Sequence, residues 1–292
     1  MGITASQVMK LREATGLGMM TCKKALIETD GNMEKAIDNL RKQGQATAAK
    51  RAGKAANEGK VEILIKEKDA LIYEVNSETD FVARNEDFLK FVTDLGAIIT
   101  DNKPGDIKEA LTITSPLFNN QTIEAKTLEL VGKIGEKISL RRFRLVSYDP
   151  TKQKVFSYIH GDGKIGVMVI IDSELEKLED TLFMELGKDM AMQIAASKPL
   201  SADRQNVPGK TLNKEKEIFE AQVASSGKPE KIWDKIVEGK INKFYKQVVL
   251  LEQEYIKDTA MTVADRINRT KKALNTEISV SSFVRYERGE EE

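Results

Sequence analysis

His160 is the only histidine among the 292 residues of this chain, so any histidine-based catalysis would have to use it. A Ser-His-Asp triad needs that imidazole, and a cysteine–histidine zinc site needs more ligands than His160 and the single Cys22. His160 ends a predicted strand, and no strained nucleophile turn lies near it in the sequence. We interpret His160 as a structural or interface residue.

A phosphate-binding loop is the next chemistry to consider. The glycine-rich segment Gly161-Asp162-Gly163-Lys164-Ile165-Gly166 lies between two predicted strands and lacks the Gly-x-x-x-x-Gly-Lys-Ser/Thr spacing. We interpret it as a turn, and we expect no direct nucleotide binding, no metal site and no cofactor. The carboxylates are numerous, but no pair is set apart by an apolar pocket. Together these patterns predict a binding protein rather than an enzyme.

The composition indicates a soluble protein with no excess of either charge. Lys+Arg and Asp+Glu both number 46, which argues against stable nucleic-acid binding because phosphate backbones select basic surfaces. No signal segment opens the chain, and the apolar run from Ile165 to Ile171 is too short to span a membrane. We therefore expect a cytoplasmic protein without a membrane partner. The hydrophobic content of 40% is enough for roughly two domains.

The amino-terminal segment, residues 1–44, has the pattern of three short helices. Val8 and Leu11 mark the first, Gly16 and Gly18 flank a tight turn, and the second runs from Met19 to Glu28. The third shows helical spacing at Met33, Ala36, Ile37 and Leu40. Residues 45–60 contain no large apolar side chain, which predicts a linker with a basic face. A solvated spacer and an RNA-binding arm are both compatible with that composition.

Two similar runs of elements follow and predict an α+β core. Val61 to Val75 alternates as a β-hairpin, two helical stretches come next, and Ile138 to Val146 is a strand. Val155 to Ile171 forms a second hairpin, with helices expected over 174–196 and 262–274 and a strand over 278–285. The order suggests two antiparallel β-β-α-α-β subdomains, the first over 61–147 and the second over 148–210 and 249–292. Residues 211–248 have two facing apolar stripes around Ser226-Gly227-Lys228-Pro229, which predicts an inserted coiled-coil hairpin.

Two positions suggest recognition of another protein. Met19 and Met20 place flexible apolar side chains at a helix start, where they suit either an adaptable binding surface or the core. Thr79-Asp80-Phe81-Val82 lies at a strand-to-helix junction. Physical rules alone favour Asp80 as a helix N-cap and Phe81 as a buried first-turn aromatic.

Longer segments resemble the elongation factor Ts family. Leu11 to Leu26, which contains Thr15-Gly16-Leu17-Gly18-Met19-Met20, resembles the amino-terminal signature, and Glu74 to Ala83 resembles the second. Shorter matches follow in the family's order: Gly132–Glu136, Ser157–Gly161, Ala196–Pro199, Ser226–Pro229, Glu238–Lys240 and Phe283–Tyr286. The layout of the family has a ubiquitin-associated-like (UBA-like) helical domain, two core subdomains and an inserted coiled coil.

The resemblance implies guanine-nucleotide exchange on elongation factor Tu during translation. It implies that Asp80 and Phe81 enter the partner's nucleotide domain and disturb its Mg²⁺ site, while Thr79 and Val82 hold them in place. Further implied contacts are those of the amino-terminal domain through Arg12, Met19 and Met20, and of the second core subdomain at His160.

Two other classes of binding protein stay open at this point. One is an adaptor that uses Met19 and Met20 together with the basic linker. The other is an RNA-binding accessory factor whose basic residues would be Lys50, Arg51, Lys54, Arg141 and Arg142.

Overall fold

The computed structural model describes residues 2–174 and 178–291 and confirms the α+β class. Its helices are α1 (Ala5–Thr15), α2 (Met19–Glu28), α3 (Met33–Arg51), α4 (Asp80–Ala83), α5 (Glu86–Asn102), α6 (Ile107–Thr112), α7 (Ile123–Ile134), α8 (Thr181–Ser197), α9 (Gly209–Ala224), α10 (Trp233–Val248) and α11 (Val263–Leu274). Its strands are β1 (Glu58–Ile65), β2 (Asp69–Ser77), β3 (Thr114–Ser115), β4 (Gln121–Thr122), β5 (Ile138–Ser147), β6 (Gln153–His160), β7 (Ile165–Ser173), β8 (Glu254–Tyr255), β9 (Asp258–Thr262) and β10 (Ile278–Glu287).

The three amino-terminal helices form where the sequence pattern places them. Thr4 starts α1 with a capping box, because its hydroxyl accepts the Gln7 N–H and its own N–H donates to the Gln7 side chain. Gly16 ends α1 at φ 67°, a left-handed conformation that glycine adopts without strain. The small core between the helices consists of Val8, Leu11, Cys22, Ala25, Leu26, Ala36 and Leu40. The likeness to a ubiquitin-associated domain stays a prediction.

Helix α3 is longer than the sequence interpretation allows. It runs to Arg51, so the first part of the segment assigned to a linker over 45–60 is helical. The alanine-rich stretch over 46–49 has a high helix propensity. Ala48 packs against the apolar core that α5 and α7 form with β2 and β5, called the first core below. Within the segment 45–60, only residues 52–57 lie outside helix and strand, because β1 begins at Glu58.

A close crossing of two helices attaches the amino-terminal unit to the rest of the protein. Gly44 of α3 is buried and faces Gly132 of α7. A Cβ atom at position 132 would lie 2.8 Å from the Cα atom of Gly44. Side chains at either position would therefore force the helices apart, and the two glycines determine how α3 sits on the core.

We predict that Gly132→Val lowers the free energy of unfolding by about 2 kcal/mol, because the added side chain meets backbone atoms of α3 that cannot move aside cheaply. Gly239→Ala in α10 is the matched control. A Cβ there has open space around it, so the variant should be more stable by up to about 1 kcal/mol through helix propensity. Urea unfolding measures both, and a Gly132→Val protein as stable as the parent would contradict the crossing.

The core contains two three-stranded antiparallel sheets. The strand order is β1-β2-β5 in the first and β10-β7-β6 in the second, so the second strand of each hairpin is central. Helices α5 and α7 pack on the outer face of the first sheet, and α8 and α11 on that of the second. The inner faces pack on each other through Val61, Ala70, Ile72, Val155, Met168 and Ile170. The sheets are thus the two middle layers of a four-layer arrangement.

A buried carboxylate on β2 fastens the carboxy-terminal segment to the first sheet. Glu74 has no exposed surface and accepts hydrogen bonds from Arg141 Nη1 (3.3 Å), Arg142 Nε (2.8 Å) and the backbone N–H of Gly289 (2.9 Å). Arg142 Nη2 also donates to the carbonyl of Glu287 at 3.0 Å. The end of β10 is therefore held by the half of the fold that it does not belong to.

Helix α6 and the two-stranded sheets β3-β4 and β8-β9 were not predicted from the sequence, and the remaining elements differ from the sequence interpretation mainly at their ends. Helix α8 begins at Thr181 rather than near Glu174, because Asp180 caps it by accepting the N–H groups of Leu182 and Phe183. Part of the predicted start, residues 175–177, lies outside the described residues. Helices α9 and α10 form an antiparallel pair over the predicted insertion. Short 3₁₀ turns complete the fold: Pro116–Phe118, Arg204–Asn206, Glu230–Ile232 and Leu250–Glu252.

Candidate functional site

The segment Thr79-Asp80-Phe81-Val82, called the tip below, presents one aromatic ring to solvent. Phe81 is 82% exposed, whereas Val82 is 7% exposed and packs in the first core with Ala83. The physical expectation of a buried Phe81 is therefore wrong. So is the expectation of an Asp80 N-cap, since Thr79 holds the cap position of α4 and Asp80 is the first helical residue. An exposed phenyl ring beside a buried anchor is typical of a protein-binding surface.

The tip is fixed from its amino-terminal side by a carboxylate that the sequence reasoning missed. Glu136 Oε2 accepts the backbone N–H of Thr79 at 3.0 Å, and Glu136 Oε1 accepts the Thr79 hydroxyl at 2.9 Å. The hydroxyl of Ser77 donates to the carbonyl of Thr79 at 2.9 Å. The sequence does mark the place of Glu136, because a glycine such as Gly135 commonly ends a helix in a left-handed conformation and Glu136 is the next residue.

Charged residues connect the tip to the turn that carries His160. Arg84 forms an ion pair with Asp80 at 3.6 Å. The Lys60 ammonium donates to Asp162 at 2.8 Å, and together with the more weakly acting Arg84 it holds the pKa of the Asp162 carboxyl below its ordinary value. Asp162, at the turn between β6 and β7, therefore lies within electrostatic reach of Arg84, two residues after the tip.

His160 is an exposed residue at the end of β6. Its Nδ1 atom lies 3.0 Å from the Tyr158 hydroxyl, which orients the ring. The following turn is attached to the first sheet, because the Val61 N–H donates to the carbonyl of Gly163 at 2.8 Å. The second sheet thus presents His160 at the end of β6, next to a turn that is attached to the first sheet.

Arg12, Met19 and Met20 are all exposed at the corner between α1 and α2. Met19 is 51% and Met20 76% exposed, so neither fills the core of the three helices. A lysine of α7 connects the corner to the helix that follows the tip. The side chain of Lys133 on α7 runs past Gly16, and its ammonium forms an ion pair with Asp87 at 2.7 Å, in the first turn of the helix that follows the tip.

The comparisons with known proteins identify the family. A family model described as "Elongation factor TS" matches residues 78–290. The chain belongs to the elongation factor Ts family. It is 45% identical over 293 residues to the elongation factor Ts of Chloroherpeton thalassium, covering 99% of each chain. The elongation factor Ts of Clostridium novyi is 42% identical over 290 residues, covering 99% of this chain and 93% of the relative.

As a member of the elongation factor Ts family, this chain is a translation elongation factor. The matched region begins one residue before the tip and extends past β10. It therefore contains the tip, Glu136 and His160, while the α1–α2 corner is covered by the full-length relatives.

Three of the five basic residues considered for RNA binding form ion pairs within this elongation factor Ts chain. Arg141 and Arg142 turn inward to Glu74 and are mostly buried. Arg51 donates to Glu78 at 3.0 Å. Lys50 and Lys54 are exposed.

Within residues 2–174 and 178–291, no group of three or more His, Cys, Asp or Glu side chains is arranged to hold a metal ion. Over the same described ranges, no helix combines the length and the apolar character that crossing a membrane requires.

Proposed function

We propose that this chain is the guanine-nucleotide exchange factor of elongation factor Tu and acts in the cytoplasm during translation elongation. The observation that carries the proposal is Phe81, which is 82% exposed on a short helix whose next residue is buried. Membership of the elongation factor Ts family supplies the partner. A ring presented on a rigid support enters a partner at a small cost in conformational entropy.

The proposed mechanism acts on the partner's Mg²⁺ ion. Phe81 inserts between helices of the partner's nucleotide domain, with Asp80 beside it, and shifts the groups that hold the ion. Loss of Mg²⁺ removes the positive charge that offsets the diphosphate of GDP, so the affinity for GDP falls. Thr79 and Val82 keep the tip in place, through Glu136 and the first core respectively. GTP then binds to the vacated site. The exchange makes and breaks no covalent bond on this chain, which therefore acts as a binding factor and not as an enzyme.

Two other contacts are proposed to grip the partner while the tip acts. Arg12, Met19 and Met20 lean on a helix of the partner's nucleotide domain, and His160 meets a different partner domain. The Lys133–Asp87 ion pair and the Val61–Gly163 hydrogen bond support this division, because they relate both surfaces to the tip within one folded core. These contacts supply binding energy for the complex, and the tip uses part of that energy to weaken the binding of GDP.

Linkage provides a direct test of this proposal. Any factor that weakens GDP binding to elongation factor Tu must itself bind the GDP-loaded form more weakly, by the same ratio. We expect this chain to bind nucleotide-free elongation factor Tu at least about 100-fold more tightly than the GDP–Mg²⁺ form, a ratio within the usual range of coupling energies. Calorimetric titration of both forms measures the ratio. Equal affinities would exclude an exchange function while leaving simple binding intact.

A further inference from the structure

We propose that Glu136 is a positioning residue for nucleotide exchange, which holds the tip in the conformation that enters the partner. The inference rests on the proposed exchange function. It concerns a residue that would touch neither the partner nor the nucleotide and would act through Thr79.

The hydrogen bonds of Glu136 are concentrated on one residue of the tip. Both carboxylate oxygens face Thr79: Oε2 accepts its backbone N–H at 3.0 Å, and its hydroxyl, with one hydrogen to donate, lies 2.9 Å from Oε1 and 3.1 Å from Oε2. Hydrogen bonds to an ionised acceptor are among the stronger ones in proteins. They fix the direction in which the chain leaves Thr79, and therefore the position of Phe81 two residues later.

A second carboxylate makes the reciprocal connection. Glu78 Oε1 accepts the backbone N–H of Lys137 at 2.7 Å, so each of the segments 78–79 and 136–137 holds the other's backbone by a side chain. Arg51 Nη1 donates to Glu78 Oε2 at 3.0 Å. The Lys137 ammonium donates to the carbonyls of Ala52 and Lys54, at 2.9 Å and 3.1 Å. The end of α3, the tip and the turn after α7 thereby form one braced cluster.

The tip needs such a brace because it cannot fix its own conformation. Helix α4 has four residues, too few for a helix to be stable by itself. Phe81 is 82% exposed, so its ring obtains little packing from this chain. Burial of Val82 and Ala83 anchors only the carboxy-terminal side. Glu136 supplies the anchor on the amino-terminal side, next to the residues proposed to act.

Removal of the carboxylate is expected to impair exchange more than binding. In Glu136→Ala the maximal rate of GDP release from elongation factor Tu at saturating factor should fall about tenfold, since charge-assisted hydrogen bonds that hold the tip are lost. The concentration of factor that gives half-maximal release should change by less than about threefold, because Arg12, Met19, Met20 and His160 are untouched. Glu136→Gln keeps one carbonyl acceptor and should recover part of the rate.

Two further variants separate positioning from folding. Thr79→Val removes the hydroxyl but keeps the N–H and the branched shape. Like Glu136→Ala, it should lower the maximal rate of GDP release. Glu185→Ala removes an exposed carboxylate on α8 and should leave the rate unchanged. If Glu136→Ala fails to fold, Glu136→Gln and Thr79→Val decide the question. Wild-type maximal rates in both would overturn the inference.

Hydrogen exchange of the free factor tests the brace independently of its activity. The Thr79 amide should lose protection in Glu136→Ala and keep it in Glu185→Ala, because only the first variant removes its acceptor. Unchanged protection of the Thr79 amide in Glu136→Ala would overturn the inference even if that variant released GDP more slowly. A wild-type chain that does not accelerate GDP release would instead refute the proposed function, and the amide measurement would still decide whether Glu136 holds the tip.

Discussion

Phe81→Ala is expected to slow the release of GDP from elongation factor Tu about 100-fold and to leave the stability of the factor nearly unchanged. A central aromatic residue of an interface typically contributes about 2–3 kcal/mol, which corresponds to a rate factor of that size if the ring acts in the transition state for release. Because Phe81 is 82% exposed, its removal creates no cavity. The free energy of unfolding should therefore change by less than about 0.5 kcal/mol.

Stopped-flow release of a labelled GDP and urea unfolding of the same preparations measure the two quantities. Leu117→Ala is the matched control, because Leu117 is also an exposed apolar residue of the first half but lies on a 3₁₀ turn outside the tip. It should release GDP at the parental rate. Parental release by Phe81→Ala would remove the tip from the mechanism, and an unfolded Phe81→Ala protein would show that the ring is structural.

Glu74→Ala is expected to destabilise the protein by about 3–5 kcal/mol. The substitution removes the fully buried carboxylate shared by the partly buried guanidinium groups of Arg141 and Arg142, and removal of one partner from a buried ion pair usually costs this much. It also removes the acceptor of the Gly289 N–H, so the carboxy-terminal segment loses one of its hydrogen bonds to the first sheet.

Urea unfolding measures this change in the free energy of unfolding when all variants are fitted with the same dependence on urea concentration (m-value). Glu185→Ala is again the control, since its carboxylate is exposed and should contribute less than about 0.5 kcal/mol. Glu74→Gln keeps the side-chain shape and one acceptor, so its cost should lie between those of the two alanine variants. A loss below about 1 kcal/mol for Glu74→Ala would mean that the two arginines find solvent or other partners when the carboxylate is removed.

Hydrophobic periodicity was sufficient to predict most helices and strands of the core. The alternation at Leu71, Tyr73 and Val75 predicts one buried face of β2, and those three side chains do pack against α5 and α7. Alternation could not show that the opposite face is buried as well. That face is covered by the second sheet, a contact between residues far apart in the chain. The sequence pattern alone therefore predicts that a charged residue such as Glu74 faces solvent, although Glu74 is fully buried.

The boundaries of the amino-terminal segment were harder to predict because local composition is ambiguous there. A stretch without large apolar residues suits a linker, but its alanines favour a helix once α3 has started. Helix α3 also packs on the core through the close contact between Gly44 and Gly132 and through Ala48, and glycine spacing alone does not reveal that contact.

At the tip, local rules and family resemblance led to opposite expectations. Capping and burial statistics placed Asp80 at the N-cap and Phe81 in the core, and both are wrong. The resemblance implied an exposed tip, and the ring is exposed. The support of the tip was not predictable, because Thr79 and Glu136 are 57 residues apart and meet only when α7 is folded against the first sheet.

Release of labelled GDP from elongation factor Tu tests the central claim most directly. The partner is loaded with labelled GDP and Mg²⁺ and mixed with an excess of unlabelled nucleotide, with this chain present at about one-tenth of its concentration. We predict that release accelerates at least tenfold, that each factor molecule serves many partner molecules, and that Phe81→Ala loses most of this effect. A release rate equal to that without the factor, at sub-stoichiometric and at saturating amounts, would contradict the account.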